Sequence, residues 1–336
     1  MFNRYWRTYP WALQLALLML MVFTLSSFAT YLALMLVPGI SGVPFNDLIH
    51  LTPLSNYKAI RAGLSAQAIA HIGMFMGPAL LFAAFAHPRV REYLGLRAPG
   101  KPVHWLLVTG IMVGLVPVFI WGETWMIKHL HFGKWADDLQ RANDGTIKAF
   151  LKLNTGQDLL LLLTVLAILP AMGEEFLFRG VMLRLFHRRI YKAPIEEAGN
   201  GSVVMPNGKR SMLLPVIFTG LLFAATHVNP YGFPFLFVAG CMLALTYYLT
   251  GSLLCSLWAH FVYNGIQVCA VFLTQDNSSA QQIAAGDQLP IAFPLVGLVI
   301  FALSLYGLVR ARTPLPADWS VDFKPGEEGG EVGSGQ

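Results

Sequence analysis

The sequence predicts an all-α fold, a polytopic transmembrane helical bundle of about eight spans with both termini cytoplasmic. Of its 336 residues, 55% are hydrophobic and only 12% are charged, and the mean hydropathy is +0.56. A soluble globular protein carries about 25% charged residues, so this chain lacks the charge to cover a water-exposed surface. The composition therefore excludes an ordinary soluble protein, a disordered chain and a disulfide-rich secreted module.

Eight apolar stretches are candidates for crossing a hydrocarbon core about 30 Å thick, which requires roughly 20 helical residues. The first follows Arg4 and Arg7, as a signal peptide would. Its apolar run is much longer than the roughly 7–15 residues of a signal core, so we expect an uncleaved anchor. The candidate spans are 11–37, 64–87, 103–122, 157–186, 212–228, 233–250, 252–274 and 290–310.

The basic residues predict the orientation of these spans. With the N-terminus in the cytoplasm, the inside segments hold about twice as many Lys and Arg residues as the outside segments. Cytoplasmic loops are enriched in these residues, which supports eight spans with both termini inside. We expect a multi-pass protein of the cell (inner) membrane. The net charge of +5 includes no long basic run, so we expect contact with membrane lipids and none with nucleic acid.

The spans and the segments between them predict five regions. We expect a flexible loop over 193–211 inside the third region, which holds most of the ionisable groups found within spans. The regions are N-terminal transmembrane helices over 1–122, an extracytoplasmic segment with an interfacial helix over 123–156, a core over 157–275, the last transmembrane helix over 276–312 and a disordered cytoplasmic tail over 313–336.

Ionisable side chains inside spans are candidate functional residues, because each costs about 2.5–3.5 kcal/mol or more to bury there. Glu175 and Arg179 are four residues apart with the acid first, which favours an ion pair on one helix face. Glu174 is turned about 100° away and lacks that partner. The informative set is Glu174, Glu175 and Arg179 in the fourth span, His227 in the fifth, and His260 and Asn264 in the seventh.

These residue types fit the hydrolysis of an amide. A carboxylate and a histidine can act as general bases toward water, which suits Glu174 with His227. An imidazole N–H and an amide N–H can stabilise the oxyanion that forms, which suits His260 with Asn264. No serine or cysteine nucleophile is required. We interpret the three cysteines as packing residues, namely Cys241, Cys255 and Cys269.

Zinc is the main alternative in the chemistry of the site. Glutamate and histidine both bind zinc, so Glu174, His227 and His260 are its candidate ligands. The sequence contains neither a His-Glu-x-x-His motif nor a Cys/His cluster. We therefore predict that no cofactor is required and keep a divalent metal as the alternative.

The motifs Glu174-Glu175-x-x-x-Arg179, Phe223-x-x-x-His227 and His260-x-x-x-Asn264 occur in this order within about 90 residues. Because of these three motifs, the sequence resembles the CPBP family of intramembrane proteases over roughly 155–275. This family is related to the CAAX prenyl endopeptidases and the bacterial Abi proteins. The resemblance implies an intramembrane endopeptidase whose catalytic core is 157–275.

The resemblance also implies a role for each residue. Glu174 and His227 would activate water, His260 and Asn264 would stabilise the oxyanion, and Glu175 and Arg179 would orient the site. The substrate would be a protein or peptide reached from the membrane or the cytoplasm. A prenylated substrate does not carry over, because many bacterial members serve other roles, including peptide processing and bacteriocin self-immunity. Family members have often been labelled metalloproteases, although the glutamate mechanism needs no metal.

Two further interpretations remain open. A transporter or scaffold would use the buried Glu, Arg and His groups for proton coupling or for structure, although the sequence shows no internal repeat. Pro170 and Gly173 either kink the fourth span and open a wet cavity at Glu174, or are simply tolerated in a membrane helix. His71 also lies within a span, and we expect it to be structural.

Overall fold

The computed structural model is an almost entirely helical chain. Its described residues include one antiparallel pair of two-residue strands, β1 (Glu196–Glu197) and β2 (Val203–Val204), within the predicted loop over 193–211. Most of that loop lies outside the described residues, as do Arg4 and Arg7. The structure describes residues 6, 9–49, 51–52, 54–150, 152–190, 196–197, 203–204, 212–274, 289–315 and 319.

Three π-helical segments interrupt the helices, at Ile72–Met76, Thr164–Ile168 and Phe176–Met182. Each joins the α-helix before it to the α-helix after it without a break. The α-helices are α1 (Trp11–Ser41), α2 (Phe45–Ile49), α3 (Tyr57–His71), α4 (Gly77–Ala86), α5 (Val90–Leu94), α6 (Val103–His129), α7 (Lys134–Phe150), α8 (Gly156–Leu163), α9 (Leu169–Glu175), α10 (Leu183–Ile190), α11 (Leu213–Thr226), α12 (Phe233–Thr250), α13 (Leu253–Thr274) and α14 (Ala292–Ala311).

Seven helical stretches of the described chain are long and apolar enough to cross a membrane. This confirms the polytopic helical bundle of about eight spans, in which one of the eight predicted helices is shorter than membrane length. The exception is α11, predicted to span over 212–228, whose 14 residues rise only about 21 Å. The seven are Trp11–Ser41, Tyr57–Ala86, Val103–His129, Gly156–Arg188, Phe233–Thr250, Leu253–Thr274 and Ala292–Ala311.

Both described ends of the chain lie at the same end of the bundle. Trp11, at the start of α1, donates a hydrogen bond from Nε1 to the carbonyl oxygen of Leu185 at 2.9 Å. The guanidinium of Arg184 lies 5.3 Å from the ring centroid of Trp319, near the other end of the chain. This arrangement agrees with an even number of passages, made by the seven membrane-length helices and the shorter α11. The cytoplasmic side remains a prediction.

The beginning of the predicted disordered tail is packed against the bundle. The backbone N–H groups of Thr313 and Leu315 donate to the carbonyl oxygens of Leu249 and Tyr248, at 2.8 and 3.0 Å. The side chain of Trp319 is buried. The prediction that the disordered tail begins at residue 313 is therefore wrong for 313–315 and 319. Backbone hydrogen bonds fix Thr313 and Leu315, and burial of its ring fixes Trp319. Residues 320–336 lie outside the described residues.

The segment between the third and fourth spans contains the amphipathic helix α7. Ala136 and Ala149 on it are buried, whereas Trp135 is exposed. The hydroxyl of Tyr231 donates to Oδ1 of Asp137 at 2.6 Å and ties α7 to the turn between α11 and α12. The helix before it, α6, extends to residue 129, seven residues beyond the predicted end at 122, so Glu123 belongs to the span.

Candidate active site

The carboxylate of Glu174 faces two imidazole rings from other helices. Its Oε2 lies 3.9 Å from Nε2 of His227 and 4.0 Å from Nε2 of His260. This oxygen is buried and has no hydrogen-bond partner among the described residues. Three helices that are separate in the sequence, α9, the end of α11 and α13, thus bring their ionisable side chains to one point.

The ring of His227 has a defined orientation and tautomer. Its Nδ1 lies 2.7 Å from the carbonyl oxygen of Phe223, which can only accept, so Nδ1 carries the hydrogen. In the neutral ring, Nε2 is then an acceptor that faces Glu174. The Phe223 ring packs against the imidazole with centroids 4.6 Å apart. The spacing of four residues along the chain allows this contact between the two side chains.

Glu175 holds the polar side chains around it. Its Oε1 accepts hydrogen bonds from Nη1 of Arg179 at 2.7 Å and from Nδ1 of His260 at 2.9 Å. Its Oε2 accepts from the hydroxyl of Ser256 at 2.6 Å. Nη2 of Arg179 donates to the carbonyl oxygen of Gly240 at 2.8 Å, which ties the group to α12. The predicted Glu175–Arg179 ion pair is confirmed, and both side chains are fully buried.

This arrangement determines what His260 can do. A carboxylate paired with arginine only accepts hydrogen bonds, so Nδ1 of His260 donates to Glu175. The neutral ring has no hydrogen on Nε2, whereas the imidazolium donates from it. A carboxylate on the other ring nitrogen stabilises that charged form. His260 can therefore act as a donor toward an oxyanion when it is protonated.

The two imidazole rings also line a cavity of about 260 Å³. Asn264, one turn beyond His260 on α13, lines the same cavity. No hydrogen bond of its side chain is found within the described part of the chain. The polar groups of the cavity wall thus include the two rings, the Asn264 amide and the carboxylate of Glu123.

Three residues near this site are not among the predicted functional residues. His71 has a buried Nε2 without a hydrogen-bond partner among the described residues, and this nitrogen would lie 3.1 Å from a Cβ atom on Gly173, the residue before Glu174. It was predicted to be structural, although an ionisable group within a span marks a candidate functional residue. Ser256, four residues before His260, was not considered although it shares its helix face. Glu123 was placed outside the spans.

The spacing of the donor atoms does not fit a tetrahedral zinc ion. With bonds of about 2.0–2.1 Å, neighbouring donors of such an ion lie about 3.3 Å apart. The two Nε2 atoms lie 3.9 and 4.0 Å from Glu174 Oε2. Within the described residues, no group of three or more His, Cys, Asp or Glu side chains is arranged to hold a metal ion. The residue types suit zinc, whereas the distances do not.

A comparison with protein families matches residues 156–266, about a third of the chain, to the Rce1-like type II CAAX prenyl endopeptidases. Comparisons with curated proteins and with solved structures give no match. The matched stretch contains the six predicted site residues, whereas His71 and Glu123 lie outside it. The seven membrane-length helices agree with a multi-pass membrane protein. The region that carries the site is thus similar to the type II CAAX prenyl endopeptidases, a family of membrane proteases.

Proposed function

We propose that the chain is an intramembrane endopeptidase that hydrolyses a peptide bond with a water molecule activated by Glu174 and His227. The observation that supports this most strongly is the buried Oε2 of Glu174, which has no hydrogen-bond partner in the described chain and faces two Nε2 atoms. One water molecule spans such gaps of about 4 Å, since each of its hydrogen bonds is about 2.8 Å long.

The first step is attack by this water. Glu174 Oε2 and His227 Nε2 are both acceptors, so the water donates its two hydrogens to them and keeps a lone pair for the carbonyl carbon. As the new C–O bond forms, one proton passes to the carboxylate of Glu174. The bond from His227 Nδ1 to the Phe223 carbonyl keeps the ring oriented throughout.

The second step is cleavage of the C–N bond. The oxyanion accepts hydrogen bonds from Nε2–H of the His260 imidazolium and from the Asn264 amide. Glu175, held by Arg179, stabilises the positive charge on His260. The protonated Glu174 then gives its proton to the leaving nitrogen. The new carboxylic acid loses its proton to Nε2 of His227, which passes it to the leaving amine. The products are then a carboxylate and an ammonium group, and Glu174 and His227 return to their starting protonation states.

The substrate is a protein or peptide reached from the membrane or the cytoplasm. The location is the cell (inner) membrane, with both termini cytoplasmic. The mechanism uses no cofactor. The groups assigned to the reaction contact only the peptide bond, so the mechanism requires no prenyl group on the substrate.

Peptide cleavage by purified protein in proteoliposomes tests this function. We expect the wild type to cleave a membrane-embedded peptide and Glu174→Gln to lower kcat by about 10²–10⁴-fold. Asp138→Asn is the matched control, because it removes an exposed carboxylate on α7. Activity that survives chelation agrees with the proposal. Activity lost on chelation and restored by zinc, or proton-coupled flux without cleavage, contradicts it.

A further inference from the structure

The carboxylate of Glu123 lines the cavity that contains the rings of His227 and His260. It comes from α6, outside the stretch that matches the protease family. The proposed hydrolysis of the peptide bond uses no carboxylate at this position. Glu123 is therefore an acidic group in the proposed active-site cavity without a part in the chemical steps.

Glu123 is held in place next to the turn that carries His227. Its Oε1 accepts a hydrogen bond from Nδ2 of Asn229 at 2.8 Å, and Oδ1 of Asn229 accepts from the backbone N–H of Gly232 at 2.9 Å. A Cβ atom on Gly232 would lie 2.4 Å from Nδ2 of Asn229 and 3.0 Å from Oε1 of Glu123. Glycine at this position thus permits the contact, and Asn229, two residues after His227, holds the carboxylate of Glu123 in place.

The described lining of the cavity places no permanent positive charge beside Glu123. The described residues that line the cavity include no lysine or arginine. The charged neighbour with an appreciable effect on Glu123 is another acid, Asp144. The side-chain amides of Asn143 and Gln267 add carbonyl oxygens to the lining. A carboxylate shielded from water is costly unless a positive charge compensates it.

We propose that Glu123 forms a specificity subsite that binds a cationic nitrogen group of the peptide substrate near the scissile bond. This inference rests on the proposed function and adds a substrate class to it. A lysine or arginine side chain, or a free terminal amine, supplies N–H donors and the compensating charge. A substrate carboxylate entering the same part of the cavity is repelled by Glu123.

The test is a peptide series with wild-type protein in proteoliposomes. The peptides differ at one position, which carries Lys, Gln or Glu and is moved along both sides of the scissile bond. We expect kcat/KM to be about tenfold or more higher for Lys than for Gln at one position. Peptides with a free or an acetylated N-terminus distinguish a terminal amine from a side chain as the source of the charge.

Variants of Glu123 test whether the preference for the Lys peptide depends on this residue. In Glu123→Gln the ratio of the Lys to the Gln peptide falls to about one, and in Glu123→Lys the Glu peptide becomes the favoured substrate. The control Asp138→Asn, on the exposed face of α7, keeps the wild-type ratio. If Glu123→Gln does not accumulate, the kcat/KM values of the wild type for the Lys, Gln and Glu peptides test the inference by themselves.

Two results overturn the inference while the proposed function stands. These are equal rates for Lys and Gln peptides at every position, and a preference for Lys that Glu123→Gln leaves unchanged. A different result concerns the proposed function itself. If neither wild type nor Glu174→Gln cleaves any peptide, the endopeptidase assignment fails and the subsite fails with it.

Discussion

Glu174 and Glu175 are adjacent in the sequence and have opposite surroundings. Three side chains donate to the carboxylate of Glu175, whereas Oε2 of Glu174 has no hydrogen-bond partner in the described chain. The turn of about 100° between neighbouring helical residues explains the difference, since it points one side chain at Arg179 and the other at the histidines. This difference follows from local helix geometry, which is why the sequence predicted it.

Replacing Glu175 by Gln is expected to destabilise the fold and lower activity together. The change leaves the buried guanidinium of Arg179 uncompensated, which costs about 3–5 kcal/mol, and removes the negative charge beside His260. The measurement is thermal unfolding in detergent together with the cleavage rate. The control is Glu92→Gln, whose pair with Arg89 is exposed and contributes about 1 kcal/mol at most. Equal stability of the two variants would contradict the role given to Glu175.

Asn264→Ala is expected to lower kcat by about 10²–10³-fold with little change in KM, as for the loss of an oxyanion donor. Stability should be nearly unchanged, because no hydrogen bond of Asn264 to the described residues is lost. Steady-state kinetics on one peptide give kcat and KM for the variant and the wild type. Thr274→Ala serves as control at the far end of α13, since its hydroxyl bonds only to carbonyl oxygens of its own helix. A rise in KM with unchanged kcat would show that Asn264 binds substrate instead.

At the scale of elements, irregular backbone surrounds the site. Two π-helical segments flank α9, and a third begins directly after His71. Such segments are frequent at functional sites, because the shift in hydrogen bonding redirects side chains. The short helix α11 ends just before His227, and the next residue, Val228, has φ 48°, an uncommon value for a β-branched side chain. Both features place ionisable groups where a regular helix would not.

The close contact between α6 and α14 yields a prediction at the same scale. A Cβ atom on Gly114 would lie 2.6 Å from backbone atoms of Gly297 and Phe301. Backbone atoms cannot move aside as a flexible side chain can, so Gly114→Ala should destabilise the protein by about 1–3 kcal/mol. Gly39→Ala is the control, because no atom lies within 4 Å and alanine favours the helix. Thermal unfolding compares them, and equal shifts would contradict the predicted contact.

At the scale of the whole molecule, the two ends of the bundle should face opposite sides of the membrane. Lys101 precedes α6 at one end, and Lys148 lies in α7 at the other; both are exposed. We expect a membrane-impermeant thiol reagent to label Lys148→Cys in intact cells and Lys101→Cys only after lysis. The positive-inside bias is the physical reason. Labelling of both variants from the same side would contradict the bundle's proposed orientation.

Hydropathy and helical periodicity sufficed for the helical bundle, and three spaced motifs sufficed to select the residues that converge on Glu174. The remaining features depend on tertiary contacts. His71 approaches Glu174 because Gly173 lacks a side chain: a Cβ there would lie 3.1 Å from Nε2 of His71. Glu123 enters the cavity because α6 continues past residue 122. Neither a π-helical shift nor the early end of α11 has a reliable signature in the sequence.

A double-mutant cycle on Glu174 and His227 tests the shared water most directly. Glu174→Gln, His227→Ala and the double variant are compared by kcat/KM on one peptide. Groups that act on the same water molecule lose their function together, so the double variant should be no slower than the slower single variant, within about threefold. Multiplicative losses in the double variant would show that the two residues act independently and would contradict the account.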